Sequence, residues 1–328
     1  MYPHNFDRTM PIVEPTYQSI DIKPPERNYT SGRIPSRLII DSADRNTNKF
    51  PNVGQYTYML INEFTEVVAI ELAQARIPNT IFNVNSSNNL IYISEDGETL
   101  FRATIPNGNY TSLTTFATAV QTALNSAGGS STYTVSIDPL TSYMTINSNL
   151  TGGTGKFFLQ FRECQCPSLI CANPCSIGDD NPPTYMKNSA GVLMGFSASN
   201  FEADASGNIT GDLLPDLSGI GYVALHLSAG NESHIKNISN NKNLNGSFSI
   251  IPLTSDFGKP VIINTGTTAR MSETKFFNPP LRRVDRLMIK FVDRNGNIVD
   301  FNGVNHMIDI EIQTLNSAGR YDTLKSNN

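Results

Sequence analysis

Four closely spaced cysteines are the one group of residues in this 328-residue chain whose types and spacing could bind a metal ion or form disulfides. They follow a C-x-C-x4-C-x3-C spacing and are all the cysteines of the chain: Cys164, Cys166, Cys171 and Cys175. Structural zinc sites use paired C-x2-C knuckles, which are missing here. Zinc binding, disulfides and free thiols therefore stay open as alternatives, although synthesis in the cytosol would disfavour disulfides. Zinc at this cluster is the one metal site that the sequence suggests.

A glycine-rich stretch at residues 151–156 resembles a phosphate-binding loop. The motif requires Gly where Leu150 stands and Ser or Thr where Phe157 stands, and no helical pattern follows. Without that hydroxyl group, nothing in the stretch would hold magnesium. We therefore interpret it as a flexible turn.

Oxygen-bearing side chains alternate near the C terminus as they do in calcium-binding loops: Asp293, Asn295, Asn297 and Asp300. The EF-hand pattern would place Gly at Ile298 and Glu at Val304, and both requirements fail. A β-hairpin that turns at Asn295–Gly296 accounts for the same residues without a metal ion.

Histidines are few and belong to no recognisable catalytic motif: His4, His226, His234 and His306. We predict each as a surface residue rather than a base or ligand, although Asp309 follows His306 closely. The chain also lacks the nucleophile elbow, the His-Glu-x-x-His motif and the dinucleotide-binding glycines. We therefore predict no catalytic or cofactor-binding residue and no enzymatic activity.

Charge gives little support for a nucleic acid partner, because the net charge is −5. The densest basic group is broken by apolar residues and is expected to be a solvated strand face: Arg282, Arg283, Arg286 and Lys290. The first residues lack a charged-then-apolar signal sequence, and no run of about 18 apolar residues occurs. We expect synthesis in the cytoplasm and no membrane span.

Composition favours a mainly β fold. The chain contains 23 Gly and 19 Pro, is rich in Asn, Ser and Thr, and has few stretches of helix-forming residues. Three apolar runs, Leu38–Ile40, Tyr56–Ile61 and Val67–Ile77, are predicted as strands. A polar turn at residues 44–48 is expected to separate the first two runs, and residues 62–64 are expected to separate the second from the third.

In the next part of the chain, the pattern of residues 81–162 predicts a ββαβββ module. Apolar residues at helical spacing predict its helix over residues 112–125: Leu113, Phe116, Val120 and Leu124. Thr111 or Ser112 would cap this helix, and Gly128–Gly129 would end it. Residues 163–214, which hold the cysteines, are predicted to be irregular.

Strand patterns return after residue 215. They cover residues 221–227, 248–253, 261–263, 287–291, 298–301 and 307–312. These patterns predict an antiparallel jelly-roll-type β-sandwich, split into residues 37–80 and 215–316, with residues 81–214 inserted as a small α+β module. Residues 317–328 would form a C-terminal tail.

Residues 1–36 are predicted to be an extended, Pro-rich N-terminal arm. Six prolines exclude a regular helix or a central strand there: Pro3, Pro11, Pro15, Pro24, Pro25 and Pro35. Apolar residues such as Ile12, Tyr17 and Ile20 suggest a segment that lies on a neighbouring subunit, and a disordered tail is the alternative.

Several short sequence segments, by their residues and their order along the chain, resemble those of jelly-roll minor capsid and penton proteins of nucleocytoplasmic large DNA viruses, the giant viruses. They span residues 38–312 and lie at residues 41–46 with 51–52, 70–80, 105–111, 193–196, and 287–297 with 300–301. The resemblance implies a structural virion component, a minor capsid protein that contacts the major capsid protein and other minor capsid proteins.

Within that class a penton at the five-fold vertices, and hence a homopentamer, is the favoured interpretation. It implies location in the virion capsid after synthesis in the host cytoplasm. An internal or intercapsomer minor capsid protein is the alternative within the class. A receptor- or carbohydrate-binding, fibre-like β-sandwich is the alternative outside it, although the lack of Trp disfavours a sugar platform.

Overall fold

Fourteen strands and two α-helices are present in the computed structural model, which describes residues 32–97, 99–149, 156–162, 185–229, 240–264 and 274–315. The strands are β1 Arg33–Asp41, β2 Gln55–Pro78, β3 Leu90–Ser94, β4 Phe101–Thr104, β5 Tyr133–Ile137, β6 Met144–Ser148, β7 Phe158–Gln160, β8 Asn200–Glu202, β9 Asn208–Thr210, β10 Tyr222–Ala229, β11 Ser249–Pro252, β12 Pro260–Asn264, β13 Thr274–Val292 and β14 Met307–Leu315. The helices are α1 Leu113–Asn125 and α2 Gly191–Met194. Residues 35–314 form one compact unit.

One seven-stranded sheet is built from both ends of the sequence, in the order β1-β14-β2-β13-β10-β11 with β12 also on β2. Every pairing between these strands for which a register is given is antiparallel. The first strand lies beside the last, and the second beside the last but one. Such nesting of early with late strands is how a jelly roll is wound, so this sheet confirms the predicted mainly β, jelly-roll-type fold.

The long strands β2 and β13 bend, and the bend turns this one sheet into a sandwich. Glu66 in β2 has a φ of 52°, and the pairing with β13 shifts register between Val284 and Arg286. Strands that cross from one layer to the other at such irregularities form the corners of sandwiches. Side chains on both sides of the bend, including Tyr56 and Ile70, belong to one buried apolar cluster.

The inserted module has two small antiparallel sheets, β4-β3-β7-β8 and β5-β6-β9. Helix α1 begins after Ser112, whose hydroxyl accepts a hydrogen bond from the backbone N–H of Thr114, as its predicted capping role requires. The apolar face of α1 packs into a second buried cluster, which includes Phe116 and Val120. The small α+β module predicted within the sandwich is thereby confirmed.

Hydrogen bonds fix the end of the first sandwich segment and join the module to the sandwich. Within the sandwich, the Thr80 hydroxyl donates to the carbonyl of Phe301 at 2.7 Å. The Asn83 side-chain amide donates to the carbonyls of Tyr110 and Leu217, both at 2.8 Å. Asn83 is buried, so its amide fixes the point where the chain leaves the sandwich and the point where it returns.

Several predicted boundaries are wrong. The arm predicted over residues 1–36 overlaps β1, which begins at Arg33. Residues 62–64 belong to β2 and do not form a turn, because Phe64 pairs with Val284 and the bend comes at Glu66. Residues 298–301 form no strand; Ile298 makes a single bridge to Val292. The stretch 163–214, expected to be irregular, contains α2, β8 and β9, which are too short to show a periodic pattern.

Candidate functional site

An apolar strip on the outer face of the sandwich is the candidate functional site, and it consists of Met59, Ile61 and Met288. These side chains are exposed by 62%, 95% and 42%. Alternate residues of β2 face the core, where Tyr58 and Leu60 pack, so Met59 and Ile61 point outward. Met288 of β13 lies beside them, because it pairs with Thr57 of β2.

Basic residues of β13 border this strip. Arg286 pairs with Met59 across the two strands and is exposed. The guanidinium of Arg283 contacts Glu63 at 2.8 Å and Asp285 at 3.6 Å. Three of the four residues in the predicted basic cluster are exposed and Lys290 is half-buried, which confirms the predicted strand face.

A second exposed group lies on the outer face at the other end of the sheet. Arg76 of β2 is exposed and pairs with Ile262 of β12 on one side and with the half-buried Met307 of β14 on the other. Ile262 is 58% exposed, and Phe276 on β13 is 66% exposed. Apolar and charged side chains therefore alternate on both outer faces of the sandwich.

Such a surface is suited to protein contacts rather than to catalysis. Met and Arg are enriched in protein interfaces, and methionine side chains adapt their shape to a partner. Large apolar side chains exposed close together on a rigid sheet indicate a contact site. The sequence signal for it was hidden, because Ile61 reads as one more residue of an apolar strand.

His306 is buried and is not the surface residue that we predicted. It is 2% exposed, and its ring packs against Phe291, Phe301 and Tyr56 at centroid distances of 4.6, 5.6 and 5.6 Å. Both ring nitrogens lack a hydrogen-bond partner in the described part of the chain. Burial lowers the pKa of His306 to about 4, although the charge of Asp41 opposes this shift.

Among the described histidines, His226 lies apart from His306. It is on the outer face of β10 opposite Lys290, and burial followed by the charge of Lys290 lowers its pKa. His4 and His234 lie outside the described residues, so the prediction for them stays a prediction.

The Asp293 side chain organises the turn that resembled a calcium loop. Its carboxylate accepts hydrogen bonds from the backbone N–H groups of Asn295 and Asn297 and from the Asn297 amide, at 2.8, 2.9 and 3.1 Å. Gly296 takes a φ of 85°. The Asp293 carboxylate therefore uses most of its hydrogen-bonding capacity within the turn, and the predicted Asn–Gly turn is confirmed.

The cysteine cluster Cys164, Cys166, Cys171 and Cys175 lies outside the described residues, so its zinc, disulfide and thiol alternatives stay predictions. Residues 150–155 of the glycine-rich stretch also lie outside. Where the structure describes the chain, no group of three or more His, Cys, Asp or Glu side chains could hold a metal ion. No helix in that part is long and apolar enough to cross a membrane.

Glu95 is a structural carboxylate that sequence reasoning missed. It accepts hydrogen bonds from the Ser130 N–H and hydroxyl, the Ser131 N–H and the Tyr133 hydroxyl, at 2.9, 2.7, 3.0 and 2.8 Å. Burial alone would raise the pKa of Glu95, but these donors outweigh burial and lower it to about 2. The partners are distant in sequence, so no local pattern could reveal them.

One protein family matches part of the chain. It is described as "Family of unknown function (DUF5901)" and matches residues 35–158, which is less than half of the chain. No curated protein matches the chain.

Solved structures of viral proteins resemble the chain in three dimensions. The crystal structure of the mavirus penton protein covers 85% of this chain and 98% of its own, with 9% identity and a TM-score of 0.36. For a chain of the cryo-EM structure of the Sputnik virophage, the match covers 88% of this chain and 98% of the virophage chain, with 11% identity and a TM-score of 0.32. At such low TM-scores, neither likeness transfers a function, partner or position to this chain.

Proposed function

We propose that this protein is a non-enzymatic structural component of a virus capsid, which acts through contacts with neighbouring capsid proteins. The observation that carries the proposal is the apolar strip Met59–Ile61–Met288 on the outer face of a jelly-roll-type sandwich. A monomer in free solution would gain nothing from exposing 95% of an isoleucine on a rigid strand. The order of the sequence segments that resemble capsid proteins, along residues 38–312, also supports this role.

The finer proposal is a minor capsid protein that forms the penton at the five-fold vertices. There it would assemble as a homopentamer and contact the major capsid protein and other minor capsid proteins. A ring of identical subunits uses two different surfaces of each subunit, one against the preceding copy and one against the next. Exposed apolar groups at both ends of the large sheet, around Met59 and around Ile262, fit that requirement.

Cryo-EM of purified particles that contain this protein tests both levels of the proposal. The penton assignment predicts five copies at each vertex and none elsewhere. Density for the chain beneath or between capsomers would contradict the penton assignment and leave the capsid role standing. Absence of the protein from purified, nuclease- and detergent-washed particles would contradict the capsid role itself.

A further inference from the structure

A cavity of about 380 Å³ lies where the inserted module meets the sandwich. Its apolar floor includes Phe82 from the module side and Val299 from the sandwich side, and its rim is lined by amides, hydroxyls and carboxylates. This volume lies within the usual range of small-molecule sites. The contact surfaces described above do not include the cavity, so it has no role in the proposed capsid contacts.

The rim is held in place by hydrogen bonds of its own. The Asn85 carboxamide accepts from the Ser87 N–H at 2.9 Å and donates to the Phe82 carbonyl at 3.1 Å. On the opposite side, the Asp300 carboxylate accepts from the Asn302 N–H at 2.8 Å. A rim fixed in this way loses little conformational entropy when a ligand binds.

Three rim side chains have hydrogen-bonding capacity that the described part of the chain does not use. The Ser86 hydroxyl and the Asn188 carboxamide make no side-chain hydrogen bond there, and one Asp300 oxygen is also left over. Together they offer donors and acceptors at short range. The ligand that suits them carries several groups that both donate and accept hydrogen bonds, as adjacent hydroxyl groups do.

The charges around the cavity disfavour two other ligand classes. Two carboxylates, Asp293 and Asp300, line it and no Lys or Arg does, so an anionic ligand would be repelled. A divalent cation would find only these two carboxylates, and the Asp293 carboxylate already accepts three hydrogen bonds from Asn295 and Asn297. A neutral ligand with both an apolar and a polar side fits this lining better.

We propose that this cavity binds a neutral sugar residue. The C–H face of the sugar would rest on the apolar floor, where the Phe82 ring is kept in place by stacking on Phe257 at a centroid distance of 6.0 Å. Its hydroxyl groups would bond to Ser86, Asn188 and Asp300 on the rim. The proposal goes beyond the capsid role, since it adds a glycan ligand for a structural protein.

Saturation-transfer-difference NMR on the purified full chain tests the proposal. The probes are glucose, galactose, mannose, N-acetylglucosamine and lactose, with glucuronic acid as the acidic counterpart. Calcium chloride, the cation, is titrated separately by isothermal titration calorimetry. We expect saturable binding of at least one neutral sugar and no binding of glucuronic acid. The double variant S86A/D300N should weaken that binding at least tenfold, since it removes the Ser86 hydroxyl and replaces the charged Asp300 acceptor by a neutral amide.

Asp44 provides the matched control, because it is exposed and lies outside the cavity. D44N should bind the sugar as the unchanged chain does. If S86A/D300N fails to fold, as seen by circular dichroism, the single variant S86A replaces it. Absence of binding by every neutral sugar, equal binding of glucuronic acid, binding of calcium alone, or binding that survives both S86A and S86A/D300N would overturn the proposal.

Discussion

The sandwich and the inserted module each hold a titratable side chain with a displaced pKa, and they hold it in opposite ways. His306 in the sandwich is enclosed by aromatic rings, with neither ring nitrogen paired among the described residues. Glu95 in the module is partly exposed, and four donors from Ser130, Ser131 and Tyr133 bind it. The sandwich thus keeps its group neutral by excluding water, whereas the module keeps its group charged by hydrogen bonding.

This difference reflects how each region is connected. The sandwich buries large apolar side chains between two layers of one bent sheet, so polar groups there are surrounded by rings. The module is smaller and depends on side-chain hydrogen bonds to join the β3–β4 hairpin to the loop after α1. We therefore expect the sandwich to be sensitive to backbone crowding and to mild acid, and the module to be sensitive to loss of a single carboxylate.

The substitution G54A should have the largest effect, and it acts on the sandwich. A Cβ atom at Gly54 would lie 2.1 Å from the carbonyl oxygen of Val299, which is backbone and cannot move aside freely. We expect a loss of about 3 kcal/mol in the free energy of unfolding, measured by denaturant titration. G221A is the matched control, since no atom lies within 4 Å of the added Cβ there. Equal stability of the two variants would contradict this view of the Gly54 contact.

Mild acid should destabilise the sandwich through His306. In the unfolded chain His306 takes up a proton near pH 6.5, whereas in the folded chain it does so only near pH 4. The unfolded state therefore binds more protons in this interval, and stability falls as the pH is lowered from 6.5 to 4. The expected loss is about 3 kcal/mol, from the size of the pKa shift.

The variant H306F should remove this pH dependence while leaving the ring packing in place. Unfolding in urea at a series of pH values, followed by the tyrosine signal, measures the slope for both proteins. A slope that is the same in H306F and in the unchanged chain between pH 6.5 and 4 would show that another group is responsible.

Loss of the Glu95 carboxylate should have a smaller effect, confined to the module. E95Q removes a charged acceptor from its four donors, and we expect a loss of about 1 kcal/mol at neutral pH. Because the folded-state pKa of Glu95 is lowered to about 2, its contribution is present above pH 4.5 and disappears as the pH falls towards 2. Stability curves for E95Q and the unchanged chain should therefore converge at strongly acid pH, and parallel curves would contradict this role.

Local patterns were sufficient for most elements of the fold. Helix α1 follows from the spacing of its apolar residues and from the Ser112 cap, and the turn at Gly296 follows from the Asn–Gly pair. The continuity of β2 through residues 62–64 did not follow, because Phe64 and Glu63 are held by partners on β13 that are distant in sequence. Two consecutive polar residues, Asn62 and Glu63, look like the end of a strand until the neighbouring strand is known.

The candidate site was less accessible to sequence reasoning than the fold. His306 looked like a surface residue because it belongs to no recognisable motif, yet its neighbours in space are Tyr56, Phe291 and Phe301. Exposure of Ile61 depends on which face of a bent strand it occupies, and an uninterrupted apolar run does not reveal that. Both properties arise from pairing between the two ends of the chain.

Incorporation of two matched surface variants into particles tests the central claim most directly. Ile61 on the sandwich and Leu140 on the module are exposed by 95% and 91%, so lysine at either position should change the stability of the monomer little. We predict that I61K is excluded from particles, or assembles far less than the unchanged chain, and that L140K is incorporated normally. Normal incorporation of I61K would contradict the claim that the outer face of the sandwich makes the capsid contacts.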